Sequence, residues 1–326
     1  MILLLALFSI TSGFMRHIIV PGAIISLLLE YVLYRWETRR DLSRYSLKDV
    51  SKRSIREFEN IANIGRLRTE DDIYPRLKGV ERYCYMKRVC PVLTTMESTN
   101  LNSDNLVLDV GCGPGLIAKK LAELGFEVVG MDISEKNLKS LKHWCKGYDI
   151  HRVLGDAEAL PFKDESLNTI IATETIEHLQ NPSFAILEFA RVTTPRGKIL
   201  ITTENATRLP YSFNPFTLLE RIISVYYPIV LPARPQVIRH LETGRLFIHR
   251  DFTVYELKEM ARSRGLTVRR TIWCSFYYAP LLLMLEKLSP VYGTAFADIF
   301  EQFMLRFAPL NQMGEHLFLE LEYLDR

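Results

Sequence analysis

Two aspartates and three glycines in the middle of the chain carry the strongest chemical signal. The run Asp109-Val-Gly111-Cys-Gly113-Pro-Gly115 follows a short apolar stretch. Glycines at a strand-to-helix turn permit positive φ and let backbone approach a ligand closely. A lone GxGxG turn is common among α/β proteins, but here acids stand on both sides of it. Asp109 closes the first predicted strand, and Asp132 closes the second, 17 residues after Gly115. An acid at that second position can accept both hydroxyls of a ribose. A dinucleotide-binding loop would read GxGxxG and present helix N–H groups to a pyrophosphate. The different spacing and the preceding acid favour an amino-acid ammonium over a phosphate.

A second cluster follows a later apolar run, in Thr173-Glu174-Thr-Ile-Glu177-His178. Glu174, Glu177 and His178 stand at i, i+3 and i+4, so one helical turn would bring all three to one side.

The surrounding sequence alternates between strand and helix patterns. Leu106–Val110 suits a buried parallel strand. Leu116–Leu124 has helical spacing and is closed by Gly125, and Glu127–Met131 is the next strand. Ser134 is a plausible helix cap after it. Ile150–Leu154, Thr169–Ala172 and Lys198–Thr202 supply three further strands, with Phe184–Val192 helical before the last. Strands separated by helices imply a parallel sheet covered on both faces. Leu108, Val110 and Val129 then read as sheet core.

At LDVGCGPG, GMDIS, GDAEALPFKDESLNTI and RVTTPRGKILITT the chain resembles the class I S-adenosylmethionine-dependent methyltransferases, specifically the type 11 group that includes ubiquinone and menaquinone methyltransferases. The resemblance is strong over residues 105–205 and looser over 247–270 and 316–323. It implies an α/β fold: a doubly wound, mostly parallel seven-stranded sheet of the Rossmann-like kind, with an amino-terminal apolar helical segment and helical insertions. It also implies S-adenosyl-L-methionine as cofactor. Asp109 and the backbone at Gly111, Cys112 and Gly113, with Gly115 in the same loop, would hold the methionine portion. Asp132 would bind the ribose diol, Ile133 would pack on the adenine, and Asp156 with Ala157 would reach the adenine amino group. Thr173 would close the cofactor site. The Cys112 side chain itself reads as structural.

The ExxEH stretch is similar to the metal-binding motif of small-RNA 2′-O-methyltransferases, and ubiquinone-type O-methyltransferases carry a comparable one. In both groups a later histidine approaches the site, here His249 in IHRDFTVYEL. Glu174, Glu177, His178 and His249 could then hold a divalent metal such as magnesium, which lowers the pKa of a bound hydroxyl. Without a metal, His178 or His249 would be the catalytic base, with Glu177 as the orienting carboxylate. In a third reading, Glu177-His178 only shapes the loop. His143, His151, His240 and His316 read as surface or internally satisfied histidines.

The amino terminus is the most apolar part of the chain. Met1–Met15 has no charged side chain, and Ile18–Tyr34 is apolar apart from Glu30. A bilayer span takes about 20 apolar residues, with about 17 as a lower bound. One tilted span, a short hairpin or an interfacial helix are all compatible, as is a buried soluble helix. Arg35, Arg39, Arg40 and Arg44 open a basic flank of the kind found on the cytoplasmic side of a membrane segment. Residues 1–36 are therefore expected to anchor the chain to a membrane, 37–103 to form a helical region, and 104–326 to form the methyltransferase domain. Insertions at 204–249 and 274–314 are rich in apolar and aromatic side chains, which implies a lid, an interface or a bilayer to cover them.

Composition sets outer limits. The 326 residues carry 41 Lys+Arg against 38 Asp+Glu, so the chain is no polycation, although a local basic patch stays open. The catalytic part lacks a basic, aromatic-interleaved strip, and no nucleic-acid partner is expected. Five scattered cysteines without a CxxC pair argue against a disulfide framework or structural zinc. The resulting expectation is a membrane-associated enzyme with a cytoplasmic catalytic domain that O-methylates a lipid-like or polyprenyl, quinone-type acceptor. The alternatives are a methyltransferase for a soluble small molecule or RNA ribose, and a non-catalytic cofactor-binding module.

Overall fold

The computed structural model describes residues 79–99, 106–208, 215–226, 236–239, 246–276 and 290–324. The expected anchor at 1–36 lies outside them, as does most of the region 37–103. Among the described residues no helix is long and apolar enough to cross a membrane.

The described chain opens with α1 (Gly79–Glu97) and then alternates: β1 (Leu106–Val110), α2 (Leu116–Glu123), β2 (Glu127–Asp132), α3 (Glu135–Trp144), β3 (Ile150–Leu154), β4 (Leu167–Thr173), α4 (Pro182–Val192) and β5 (Thr193–Glu204). The first insertion contributes α5 (Pro215–Tyr226), β6 (Gln236–Arg239) and β7 (Leu246–His249). The chain then returns through α6 (Val254–Arg262), β8 (Leu266–Cys274), α7 (Pro290–Leu305) and β9 (His316–Tyr323).

Seven strands form one sheet in the order β3-β2-β1-β4-β5-β9-β8, while β6 and β7 make a separate hairpin. Strands β1 to β5 run parallel and β9 is antiparallel to both neighbours. This is the doubly wound sheet implied by the sequence. The chain winds outward from β1 through β2 to β3, then crosses back to β4 on the other side of β1. That reversal opens a crevice at the carboxyl ends of β1 and β4, where such sheets bind ligands.

Period-2 alternation sorts the strand side chains onto two faces. Val107, Val128, Ile171, Leu200 and Phe318 face α1, α2 and α3, with Val89, Val92, Ile117, Leu121 and Leu141 from those helices. Leu108, Val129, Ile170, Ile199 and Leu319 face α4 and α6, with Ile186, Phe189 and Leu257 opposite them. Both faces are covered, so the strands are apolar in runs rather than in simple alternation.

Local chemistry sets the helix starts. Ser134 caps α3 by accepting from Asn137 N. Thr253 and Glu256 form a reciprocal capping box at α6. Pro182 sits in the first turn of α4, where its missing N–H costs nothing.

Candidate active site

The carboxyl ends of β1, β2 and β3 set Asp109, Asp132 and the Asp156 turn along one edge. Asp109 is buried, and its Oδ2 has no hydrogen-bond partner. Burial pushes its pKa up to about 7, and the neighbouring Asp132 adds to the rise. A buried, half-satisfied carboxylate stands ready for a cationic ligand.

Asp132 is buried as well, but partnered. Its Oδ1 accepts from Ser134 N at 2.8 Å and Asn137 Nδ2 at 3.2 Å, and its Oδ2 from Gly113 N at 2.8 Å. With one bond made, Oδ2 retains capacity for a further donor. Gly111 and Cys112 N–H both donate to the Met131 carbonyl, at 2.8 and 3.0 Å. The amides of the glycine loop are thus committed within the protein, and what the loop offers a ligand is acceptors. That suits an ammonium and is unlike a phosphate cradle, whose N–H groups face the anion.

Gly111 is needed for a steric reason. Its φ is +69°, and a Cβ there would come within 2.5 Å of Thr175 Oγ1. That hydroxyl lies 3.0 Å from the Val110 carbonyl and so ties the end of β1 to the turn after β4. Cys112 is buried with its pKa pushed well above the usual thiol value by burial and by Asp109 and Asp132, so it is no nucleophile. Gly155 N donates to the Asp132 carbonyl at 3.1 Å, holding the Asp156 turn beside Asp132. Ile133 is half-buried and Ala157 buried along this edge. Thr173 closes β4 with a buried hydroxyl oxygen that has no hydrogen-bond partner.

Beyond Thr173 the backbone turns sharply. Glu174 adopts φ +51°, a left-handed conformation that costs a non-glycine residue about 1 kcal/mol or more. The turn feeds a short 3-10 helix, Ile176–His178. Glu177 and His178 fall on this turn, whereas the Glu174 side chain is drawn elsewhere. Its Oε1 accepts from Thr202 Oγ1 at 3.0 Å, and its Oε2 lies 3.4 Å from both Arg88 Nη1 and His316 Nε2. Burial works against its ionisation, yet His316, Arg88 and Thr202 hold its pKa down at about 2. Glu177 is buried and accepts from Thr203 Oγ1 at 3.0 Å, and burial beside Glu174 pushes its pKa well above the carboxylate range.

The two histidines differ in charge. His178 Nδ1 lies 3.0 Å from the Ile248 carbonyl oxygen. A carbonyl can only accept, so Nδ1 carries the proton and Nε2 carries the lone pair of the neutral ring. Burial, then the nearby His249, lowers the His178 pKa below its usual 6.5 despite that bond. The two rings are 5.5 Å apart. His249 Nε2 sits 3.2 Å from Glu204 Oε2 and 3.4 Å from Asp251 Oδ1. Burial opposes its charge, but Asp251 and Glu204 raise its pKa to about 10. At neutral pH His178 is a base and His249 is an imidazolium.

The His249 pairing has a consequence for stability. Its folded pKa of about 10 exceeds the ordinary 6.5, so its contribution is complete below pH 6.5 and disappears as pH climbs toward 10. Denaturant unfolding should therefore show stability falling across that window, and His249→Gln should flatten the slope. An unchanged slope in the variant would refute the pairing.

The four predicted metal ligands are not gathered into one coordination set. Among the described residues, the group whose donor atoms lie within 4.8 Å of one another is Glu204, His249 and Asp251. The Arg208 guanidinium already bridges those two carboxylates, at 3.0 Å from Glu204 and 2.8 Å from Asp251. Of the predicted ligands, Glu174 is turned to Arg88 and His316, and His249 to Glu204 and Asp251. The four predicted donors therefore do not converge on one point.

Several of these partners escaped sequence reasoning. His316 reads as unremarkable in the sequence, yet it is buried at the start of β9 against Glu174. Arg88 comes from α1, and Asp251 lies two residues past His249. Glu204 lies two residues past the predicted strand Lys198–Thr202, and nothing in the sequence singles it out.

Residues 108–201 match the family described as Methyltransferase domain. The mitochondrial ubiquinone biosynthesis O-methyltransferase of Rattus norvegicus is 37% identical over 112 residues, 32% of each chain. The ubiquinone biosynthesis O-methyltransferase of Maricaulis maris is 26% identical over 52% of this chain and 62% of its own. That of Rickettsia felis is 35% identical over 51% of this chain and 66% of its own. The chain thus spans between about a third and two thirds of the length of these relatives. Among solved structures, an S-adenosylmethionine-dependent methyltransferase candidate from Listeria monocytogenes superposes with a TM-score of 0.50 at 14% identity, over 73% of this chain and 97% of its own. The fold is that of the class I S-adenosylmethionine-dependent methyltransferases.

Proposed function

We propose that this chain, whose residues 108–201 match a methyltransferase domain, O-methylates a phenolic hydroxyl on a lipid-like, quinone-type acceptor. The observation that carries the proton chemistry is the His178 Nδ1 contact with the Ile248 carbonyl, which leaves Nε2 as the basic nitrogen. A hydroxyl acceptor must lose a proton, and a general base of lowered pKa does this at neutral pH. The ubiquinone O-methyltransferase relatives supply the acceptor class.

S-Adenosyl-L-methionine, when bound, supplies an electrophilic methyl group on a sulfonium. The chain's own residues do the rest. Asp109 meets the ammonium of the amino-acid end, and its orphaned Oδ2 is the fit that supports this placement. Asp132 accepts from a ribose hydroxyl. The Thr173 hydroxyl faces the same edge of the sheet. His178 Nε2 takes the acceptor proton. Burial keeps His178 neutral, and the charge of His249, fixed by Glu204 and Asp251, adds to the effect. Positioning and exclusion of water account for the remaining acceleration.

Because the donors do not converge, turnover should survive excess chelator. Loss of activity that magnesium restores would show that Glu174 and its neighbours rearrange around an ion, and would replace the base reading. The direct test of the acceptor is methyl-labelled cofactor incubated with lipid extract and with total RNA. Label is expected in an O-methylated lipid, and label confined to RNA or to carbon would overturn the proposal.

The same reading puts the enzyme at a membrane with its catalytic domain on the cytoplasmic face. Support comes from the apolar stretch Met1–Tyr34 with its basic flank, and from exposed Ile299 and Phe303 on α7, followed by exposed Phe307. Deleting residues 1–34 should move the protein from the membrane pellet to the supernatant. Unchanged fractionation would remove the anchor.

A further inference from the structure

The face of the sheet beneath α1 ends in a cleft of about 400 Å³, lined by side chains from α1, β5, β8 and β9. It opens at the end of β5 remote from the active site. Lys198 and Glu204 are six residues apart on that strand, or roughly 20 Å at strand rise. The cleft belongs neither to cofactor nor to acceptor.

Three cations meet there: Lys198, Arg269 and Arg270. Neighbours on a strand normally point to opposite faces. A register shift between Val268 and Arg270 breaks that alternation, and both arginines line the same cleft. Arg270 is held rigidly. It donates to Thr95 Oγ1, lies 3.6 Å from Glu320, and stacks over the Phe318 ring with its guanidinium carbon 5.3 Å from the centroid.

The lining hydroxyls serve the cations rather than a ligand. Thr95 donates its proton to the Pro91 carbonyl within α1 at 2.7 Å, and Ser98 and Thr99 donate theirs to the Thr95 carbonyl at 2.8 and 2.9 Å. All three have only lone pairs left. Thr95 accepts from Arg270, and Thr99 accepts from Lys198 Nζ at 2.9 Å. The groups left to donate into the cleft are the cations themselves.

Their charge is incompletely met. The cleft contains one carboxylate, Glu320, whose nearest cation is Arg270. Arg269 has an exposed partner outside, Glu322 at 3.4 Å. Lys198 hydrogen-bonds Thr99 and, among the described residues, pairs with no carboxylate, and burial lowers its pKa more than Glu320 restores it. A half-buried ammonium beside two guanidinium groups is an unneutralised charge.

We propose that this cleft binds a phosphate group, either free or as a headgroup, through Lys198, Arg269 and Arg270. Guanidinium forks match phosphate oxygens bidentately, and the lysine adds a point charge. The site is independent of the methyl-transfer reading.

The test is calorimetric titration of the full-length protein in detergent with inorganic phosphate. Binding at millimolar phosphate or tighter is expected, weakened at least tenfold in both Lys198→Met and Arg269→Ala. Lys139→Met, which breaks an exposed pair on α3, should leave it unchanged. Arg270 is left intact because it anchors α1. Short-chain phosphatidic acid binding more tightly than phosphate would identify a lipid headgroup, and equal affinity would identify free phosphate; both outcomes support the site. Absence of phosphate binding, or equal binding by wild type and both variants, overturns it. So does a fall in melting temperature in the variants with phosphate affinity unchanged, because the cations would then only stabilise the end of α1.

Discussion

Replacing His178 by alanine should lower kcat by about 10²–10⁴-fold, the usual contribution of a positioned base. Cofactor affinity should be unchanged, since His178 lies on the turn after β4 with its ring held at the Ile248 carbonyl. The expectation rests on charge as much as on position. His249 is nearer to carboxylates than His178 is, but Glu204 and Asp251 hold it protonated, so it has no lone pair to offer near neutral pH. His178, buried and repelled by that imidazolium, is neutral below its ordinary pKa of 6.5. The rate should therefore fall only when pH drops below 6.5. Removing the positive neighbour with His249→Ala should raise the His178 pKa and move that acid limb upward. If kcat is unchanged in His178→Ala the base assignment is wrong, and if the limb stays in place without His249, burial alone lowers the His178 pKa. Histidine ring resonances supply an independent check: one should titrate below 6.5 and the other near 10.

Asp132→Ala should weaken cofactor binding on the order of 100-fold by calorimetry. Three of the four lone-pair sites on Asp132 are taken, so it has room for one ribose hydroxyl. A hydrogen bond to a charged acceptor is worth about 1.5–3 kcal/mol, roughly 10- to 150-fold. Alanine would also leave the Gly113 and Ser134 amides without their acceptor, so Asp132→Asn serves as a companion that keeps one oxygen in place. Unchanged affinity in both variants would discredit the ribose assignment. The partner acid adds a pH signature. Asp109 has a pKa near 7 in the ligand-free protein, and an ammonium attracts only its ionised form. Affinity should decline as pH falls below 7 and level off above it. Asp109→Asn should lose both the attraction and the pH dependence.

Much of this was legible in the linear sequence because it depends on local rules. The glycine loop, its flanking acids and the Ser134 cap are short-range devices, each set by residues a few positions apart. The strand and helix alternation follows from apolar periodicity, and His316–Tyr323 ends as the strand its resemblance implied. The charge states of the catalytic cluster are of another kind. Glu174, Glu177 and His178 have ligand spacing in one dimension, but the left-handed turn at Glu174 and the arrival of Arg88 and His316 from distant elements pull the first of them away. His249 becomes an imidazolium because Asp251, two residues on, and Glu204, 45 residues earlier, both meet it. The register shift that brings Arg269 and Arg270 into one cleft also depends on pairing with β9. Local sequence determined which elements form and which loop meets a cation. Long-range packing alone decided which ionisable groups are buried together, because a protonation state depends on neighbours in space and on the water they exclude.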